Sequence, residues 1–159
     1  MKNPYNSFLI IFVILIAVGF LGWAIFAKQK SPPSICGEYE QGLVEIGGKS
    51  MEMDISDTDC KRELGLSDRK SLLDSSGMIF VFEKTGNYGF WMKEMNFPID
   101  MVWVGSDLKI VGIENSIAPE TFPKVFGQKY FAKYVLELPS GFSEKNSITV
   151  GKEIKITQN

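Results

Sequence analysis

Residues 90–100 read FWMKEMNFPID, a lysine and a glutamate set among aromatic and thioether side chains and closed by Pro98 and Asp100. In an extended strand, Trp91, Lys93 and Met95 share one face while Phe90, Met92 and Glu94 share the other. An indole and a thioether beside Lys93 would partly desolvate its ammonium group and lower its pKa, as a lysine base requires. The plainer alternative is that Lys93 runs along those neighbours to water. Asp100 either caps the turn after Pro98 through backbone N–H groups or pairs with Lys93 across a hairpin. Glu137, between Leu136 and Leu138, lies on the face opposite those leucines, where it meets solvent or the lumen of a barrel. Arg62 and Arg69 bracket a short helix, placed to clamp a carboxylate or phosphate or to form surface ion pairs. Together Arg62, Arg69, Trp91, Lys93, Asp100 and Glu137 form the candidate ligand-binding set.

The chain has 159 residues and no histidine. That absence removes a Ser-His-Asp triad, a Cys-His pair and every histidine-ligated zinc or iron site. Two cysteines, Cys36 and Cys60, are too few and too separated for structural zinc. No cofactor or metal is expected, and composition leaves open only a carboxylate site for calcium. The two thiols either stay unpaired or form a disulfide, closing a loop of about 25 residues worth about 3 kcal/mol.

Net charge is −2, and removing the stretch up to Ala27, whose only charged side chain is Lys2, leaves 16 basic against 19 acidic residues. Scattered lysines on an acidic chain argue against nucleic acid as a partner.

These residues must be positioned by a compact domain, and the chain divides accordingly into a short tail (1–7), an apolar segment (8–27), a linker (28–41) and a soluble domain (42–159). Residues 8–27, FLIIFVILIAVGFLGWAIFA, carry no charge. A helix of this length spans about 30 Å, the hydrocarbon thickness of a bilayer. It reads as a transmembrane signal anchor: the apolar run is longer than that of a cleaved signal peptide, and it ends without a small-x-small site. Cys36 lies too far beyond it for a lipoprotein. The linker, with Pro32 and Pro33, is a semi-rigid tether. With the foldable mass after the anchor, and with a cysteine pair suited to an oxidising compartment, the domain is expected on the extracytoplasmic side of a single-pass cell-membrane anchor.

From residue 42 the patterning is mostly of strands. LVEIGG and SMEMDIS form a hairpin about Gly47-Gly48. DTDCKRELGLS is a short helix with Asp57 as its cap and Gly65 at its end. GMIFVF at 77–82 is a central strand covered on both faces. Further strands are expected over about 88–94, 99–104, 108–114, 133–138 and 153–156, with a short helix in PSGFSEKN. The fold class is mainly β (α+β): a compact antiparallel sheet or partly closed barrel with two short helices. A β-α-β rhythm and a glycine-rich phosphate loop are not expected.

The ordered blocks KRELGLSDRKSL, GMIFVF, FWMKEMNFPIDMVWV, KIVGI, YVLELPSG and ITVGKEIKI resemble the bacterial and archaeal family called domain of unknown function 192, over about residues 50–156. The family pattern falls on Arg62, Gly65, Leu66, Arg69, Gly77, Met78, Phe90, Trp91, Met92, Lys93, Pro98, Asp100, Glu137 and Gly141. Ser67 stands where members often carry methionine. The resemblance implies a small β-rich fold, often behind an export signal, without an established activity.

Three functions compete. The first is a membrane-tethered module of the cell envelope that binds a small ligand or a partner protein, with the candidate set lining a polar pocket among aromatic rings. The second is a histidine-free hydrolase acting on envelope material through a Ser-Lys dyad or a carboxylate pair such as Asp100 with Glu137. The third is a structural protein that recruits an envelope partner through a sheet edge.

Overall fold

A computed structural model describes residues 35–158. The tail, the apolar segment 8–27 and the first half of the linker lie outside the described residues, and among those described no helix is long and apolar enough to cross a membrane.

Gly47 and Gly48 both adopt positive φ (58° and 74°), the conformation a two-residue hairpin turn demands. They join β1 (Glu40–Ile46) to β2 (Lys49–Ser56) in antiparallel register, Val44 opposite Met51. Next comes α1 (Asp59–Leu64), capped by the Thr58 hydroxyl, which accepts from the Lys61 N–H at 3.3 Å. The cap is thus Thr58 and not Asp57, whose carboxylate pairs with Lys61 Nζ at 3.2 Å. Gly65 ends the helix at φ 53° and ψ −133°, a region almost closed to residues with a Cβ. Cys36 and Cys60 are joined by a disulfide that ties the segment before β1 to α1.

The chain then returns as β3 (Ser76–Asn87), which pairs with β2 in parallel, Asp54 beside Met78 and Ile55 beside Ile79. This corrects the expectation of an antiparallel sheet: the sheet is mixed, with a single β-α-β crossover and no repeating β-α-β rhythm. A parallel pair needs a connection of a dozen or more residues, and residues 57–75 with α1 supply it. The remaining strands are β4 (Ile99–Val104), β5 (Ile110–Ile117), β6 (Phe131–Pro139) and β7 (Lys155–Gln158). Between the last two lies α2 (Phe142–Lys145). Spatial order is β5-β4-β6-β3-β2-β1-β7.

Edge strands β5 and β7 do not pair, so the sheet is open and not a barrel. The two approach only before β7, where the N–H of Ile110 donates to Lys152 O and that of Ile154 to Leu108 O, each at 2.9 Å.

Alternation divides the core. On one face Ile79, Val102, Leu136 and Leu138 meet Val44, Met53 and Phe142 of α2. On the other, Met78, Phe80, Met101, Trp103 and Val135 meet Leu66, Met92 and Phe126. Both faces are covered, so all six residues of β4 are buried.

The strand expected over 88–94 does not form. The strands below are already paired on both sides, leaving no free edge for it. Residues 88–98 instead cross the second face as a strap, held by reciprocal backbone bonds between Phe90 and Phe126 (3.0 and 2.8 Å). Glu94 turns the strap at φ 57°. Phe90 and Met92 point inward: the Phe90 ring meets Phe80 edge-on at 4.7 Å, and Met92 is buried.

Candidate functional site

Under the strap, α1 and the middle of the sheet leave a cleft of about 280 Å³. Aromatic rings from β3 and the strap (Phe80, Phe82, Tyr88, Phe90, Trp91) form its walls, with Arg62, Glu63, Lys93 and Glu137 among its polar lining. Phe82 and Tyr88 stack with centroids 3.5 Å apart, and Trp91 is half exposed.

Glu137 is the unusual member. Its strand, β6, runs through the centre of the sheet, so its partners are Met78 on one side and Met101 on the other. Neither side chain has a donor. The residue is 4% exposed, and its Oε2 is buried with no hydrogen-bond partner. Burial raises its pKa to about 8, with the charge of Arg69 opposing the rise. Gly65 lies over it: a Cβ there would stand 3.9 Å from Oε2 and 3.4 Å from the Phe80 ring. A side chain at the residue that ends α1 would therefore begin in van der Waals contact with this carboxyl.

The sequence-level candidates separate into two groups. Arg62, Trp91, Lys93 and Glu137 line the cleft, whereas Arg69 and Asp100 do not. Arg62 is held by the carbonyl oxygens of Asp57 (2.6 Å) and Val81 (2.8 Å) and by the Asp59 carboxylate (2.7 Å), with its guanidinium 5.4 Å from the Phe82 ring centre. It is a fixed wall more than a free clamp. Lys93 is exposed at the rim of the cleft, on a strap and not on the expected strand. Arg69 forms an ion pair with Asp54 at 2.6 Å, its guanidinium 5.3 Å from the centre of the Tyr39 ring. Gln41 donates to the same aspartate.

Asp100 is fully buried and structural. It pairs in register with Leu138, which puts it on the sheet face opposite Glu137. Its Oδ1 accepts from the N–H groups of Ser116 (2.8 Å) and Gly141 (3.0 Å), and its Oδ2 from that of Ser143 (2.8 Å). The expected pairing with Lys93 and the Asp100–Glu137 carboxylate pair are therefore not assembled. Nor is a Ser-Lys dyad: the Ser67 hydroxyl, which lines the cleft, donates at 3.0 Å to the backbone carbonyl of Lys93.

Sequence reasoning overlooked Phe82 and Tyr88 as cleft walls and Asp54 as the buried partner of Arg69. An acidic residue flanked by Met53 and Ile55 is the signal that marks Asp54. A second cavity of about 350 Å³ opens on the other sheet face, lined by Leu43, Met53, Ile79 and Ile156 with Tyr134. It is larger, but no carboxylate or basic side chain lines it. Among the described residues no group of three acidic or thiol ligands could hold a metal.

An open, mixed seven-stranded sheet with one crossover helix and an aromatic cleft over a buried carboxyl defines a small β-rich domain. The chain belongs to the family DUF192, described as an uncharacterized ACR, whose model matches residues 42–156. Two solved structures are similar. One, from Sinorhizobium meliloti and described as a "putative transcription regulator", is 25% identical, with 74% of this chain and 94% of that chain covered and a TM-score of 0.69. The other, a protein of unknown function from Novosphingobium aromaticivorans, is 23% identical, with 81% and 94% covered and the same TM-score of 0.69. No curated protein matches the chain.

Proposed function

We propose that this chain is a small-ligand-binding domain, held on the extracytoplasmic side of a membrane by residues 8–27. The observation that carries the binding reading is Glu137: a carboxyl oxygen buried without a partner lines an open cleft whose walls are aromatic. Burying a polar group without compensation costs on the order of 1–3 kcal/mol, and a ligand that completes the missing hydrogen bond recovers it. Aromatic walls with one or two fixed polar groups are the usual make-up of a small-molecule site. The tether rests on the uncharged stretch 8–27, long enough to span a bilayer as a helix.

The test is a small-molecule fragment screen by NMR on the full chain in detergent micelles. Binders should shift resonances of Gly65, Trp91 and Glu137 while leaving Tyr134, in the second cavity, unmoved. Fragments that move only Tyr134 would place the site on the other face and refute the reading. A reporter fused to the C-terminus, active only when outside the cell, checks the orientation independently.

A further inference from the structure

The groups around Glu137 decide which ligand the cleft accepts. From the sheet, Met78 and Met101 flank it and give no donor. From the crossover, Arg69 is committed to Asp54 of β2. From α1, Arg62 is committed to two carbonyl oxygens and to Asp59, and Glu63 is exposed. From the strap, Lys93 is at the rim. No group in the cleft donates to Glu137 Oε2, so the uncharged carboxyl is favoured over the carboxylate. A protonated carboxyl presents an O–H donor beside a carbonyl acceptor, whereas a carboxylate only accepts.

We propose that the cleft selects a flat, uncharged ligand with an amide-like edge, a carbonyl or ring-nitrogen acceptor next to an N–H donor, which pairs with Glu137 while its ring packs against Phe80, Phe82 and Phe90. This rests on the ligand-binding reading above and narrows it to a chemical class. A lactam, a carboxamide or a heteroaromatic amide satisfies both positions of the carboxyl. A cationic ligand would require the carboxylate that nothing in the cleft stabilises, and would meet Arg62 and Lys93. An anionic ligand has no N–H for the carbonyl oxygen of Glu137, leaving half of the pair unmade. Rings that stack offset or edge-on favour a flat body over a bulky aliphatic one.

Three probes of one shape and different charge test this: benzamide, benzamidinium and benzoate, titrated into the full chain in detergent micelles and followed by NMR at Trp91 and Glu137. Benzamide is expected to bind at least about tenfold more tightly than either charged probe. Its affinity should hold below pH 7 and fall about tenfold per unit once Glu137 ionises. Glu137→Gln, whose amide keeps a donor and an acceptor, should retain benzamide and lose the pH dependence. Glu137→Met, which places a third thioether beside Met78 and Met101, should lose benzamide at least about tenfold while melting as a folded protein. Tightest binding by benzamidinium, strengthening as pH rises, would overturn the proposal, as would a preference for benzoate. If other fragments fill the cleft and benzamide does not, the class is wrong and the binding reading stands; if no fragment fills it, that reading fails as well.

Discussion

Arg69 and Asp54 meet at 2.6 Å in the interior, their side chains 15% and 5% exposed, and this pair is why Glu137 has no cation of its own. Asp54, Met78 and Glu137 lie in one row across β2, β3 and β6, so the two carboxyl groups share a sheet face two strands apart. Arg69 bonds to one and only influences the other electrostatically. In this chain Arg69 is thus half of a structural ion pair, while Glu137 Oε2 is left without a hydrogen-bond partner.

Removing Arg69 strands a buried charge. Arg69→Met should destabilise the domain by about 3–5 kcal/mol in urea denaturation, and adding Asp54→Leu should recover most of that loss. A cost below about 1 kcal/mol for the single change would mean that the pair contributes nothing to the interior.

Glu137 links stability to pH. Its pKa in the folded domain, about 8, is above the ordinary value of 4.5, so between these limits the native state keeps a proton that the unfolded chain releases. Stability from this group is full below about pH 4.5 and is lost as pH rises through 8, with a slope of up to about 1.4 kcal/mol per unit. Denaturation midpoints across that window should fall in the wild type and flatten in Glu137→Gln. Equal slopes in both proteins would assign the pH dependence to other groups.

Asp100 gathers three backbone N–H groups from β5 and the start of α2. Hydrogen bonds to a charged acceptor contribute about 1.5–3 kcal/mol each, so Asp100→Ala should cost at least about 3 kcal/mol. Amide exchange should accelerate at Ser116 and Ser143 first. Unchanged protection there would show that other contacts hold α2 in place.

Gly127 lies against the indole of Trp103 with φ 81°, and a Cβ at that position would overlap the ring. Gly127→Ala combines overpacking with a strained backbone and should cost roughly 2–4 kcal/mol, read as a lowered melting temperature and altered Trp103 fluorescence. A substitution cost within about 0.5 kcal/mol would mean that the loop simply moves aside.

Local signals in the sequence reached the local structure. The Gly47-Gly48 turn, the apolar runs that became β3 and β4 and the glycine ending α1 needed only neighbouring residues to be read. The parallel pairing of β2 with β3 did not, because a short helix between two strands is equally consistent with an antiparallel arrangement. FWMKEMN alternates like a strand, yet the strands it crosses are already paired on both sides, and that pairing depends on the placement of β6 between β3 and β4, some forty residues further on. The same holds for the site. Glu137 was legible as a candidate from its setting between two leucines, but its burial follows from having both Met78 and Met101 as neighbours. For Asp100 the sequence offered both a backbone cap and a pairing with Lys93, and neighbouring residues could not choose between them, because the N–H groups that converge on it come from Ser116, Gly141 and Ser143.

Strand β7 docks on β1, Leu43 opposite Thr157, joining the two ends of the described domain. Synthesis therefore delivers the domain's first strand more than a hundred residues ahead of the partner that covers its flank. Until β7 has emerged from the ribosome, β1 offers one bare row of backbone donors and acceptors to whatever passes, and a nascent chain of this kind invites a chaperone or a mispaired neighbour before that strand arrives.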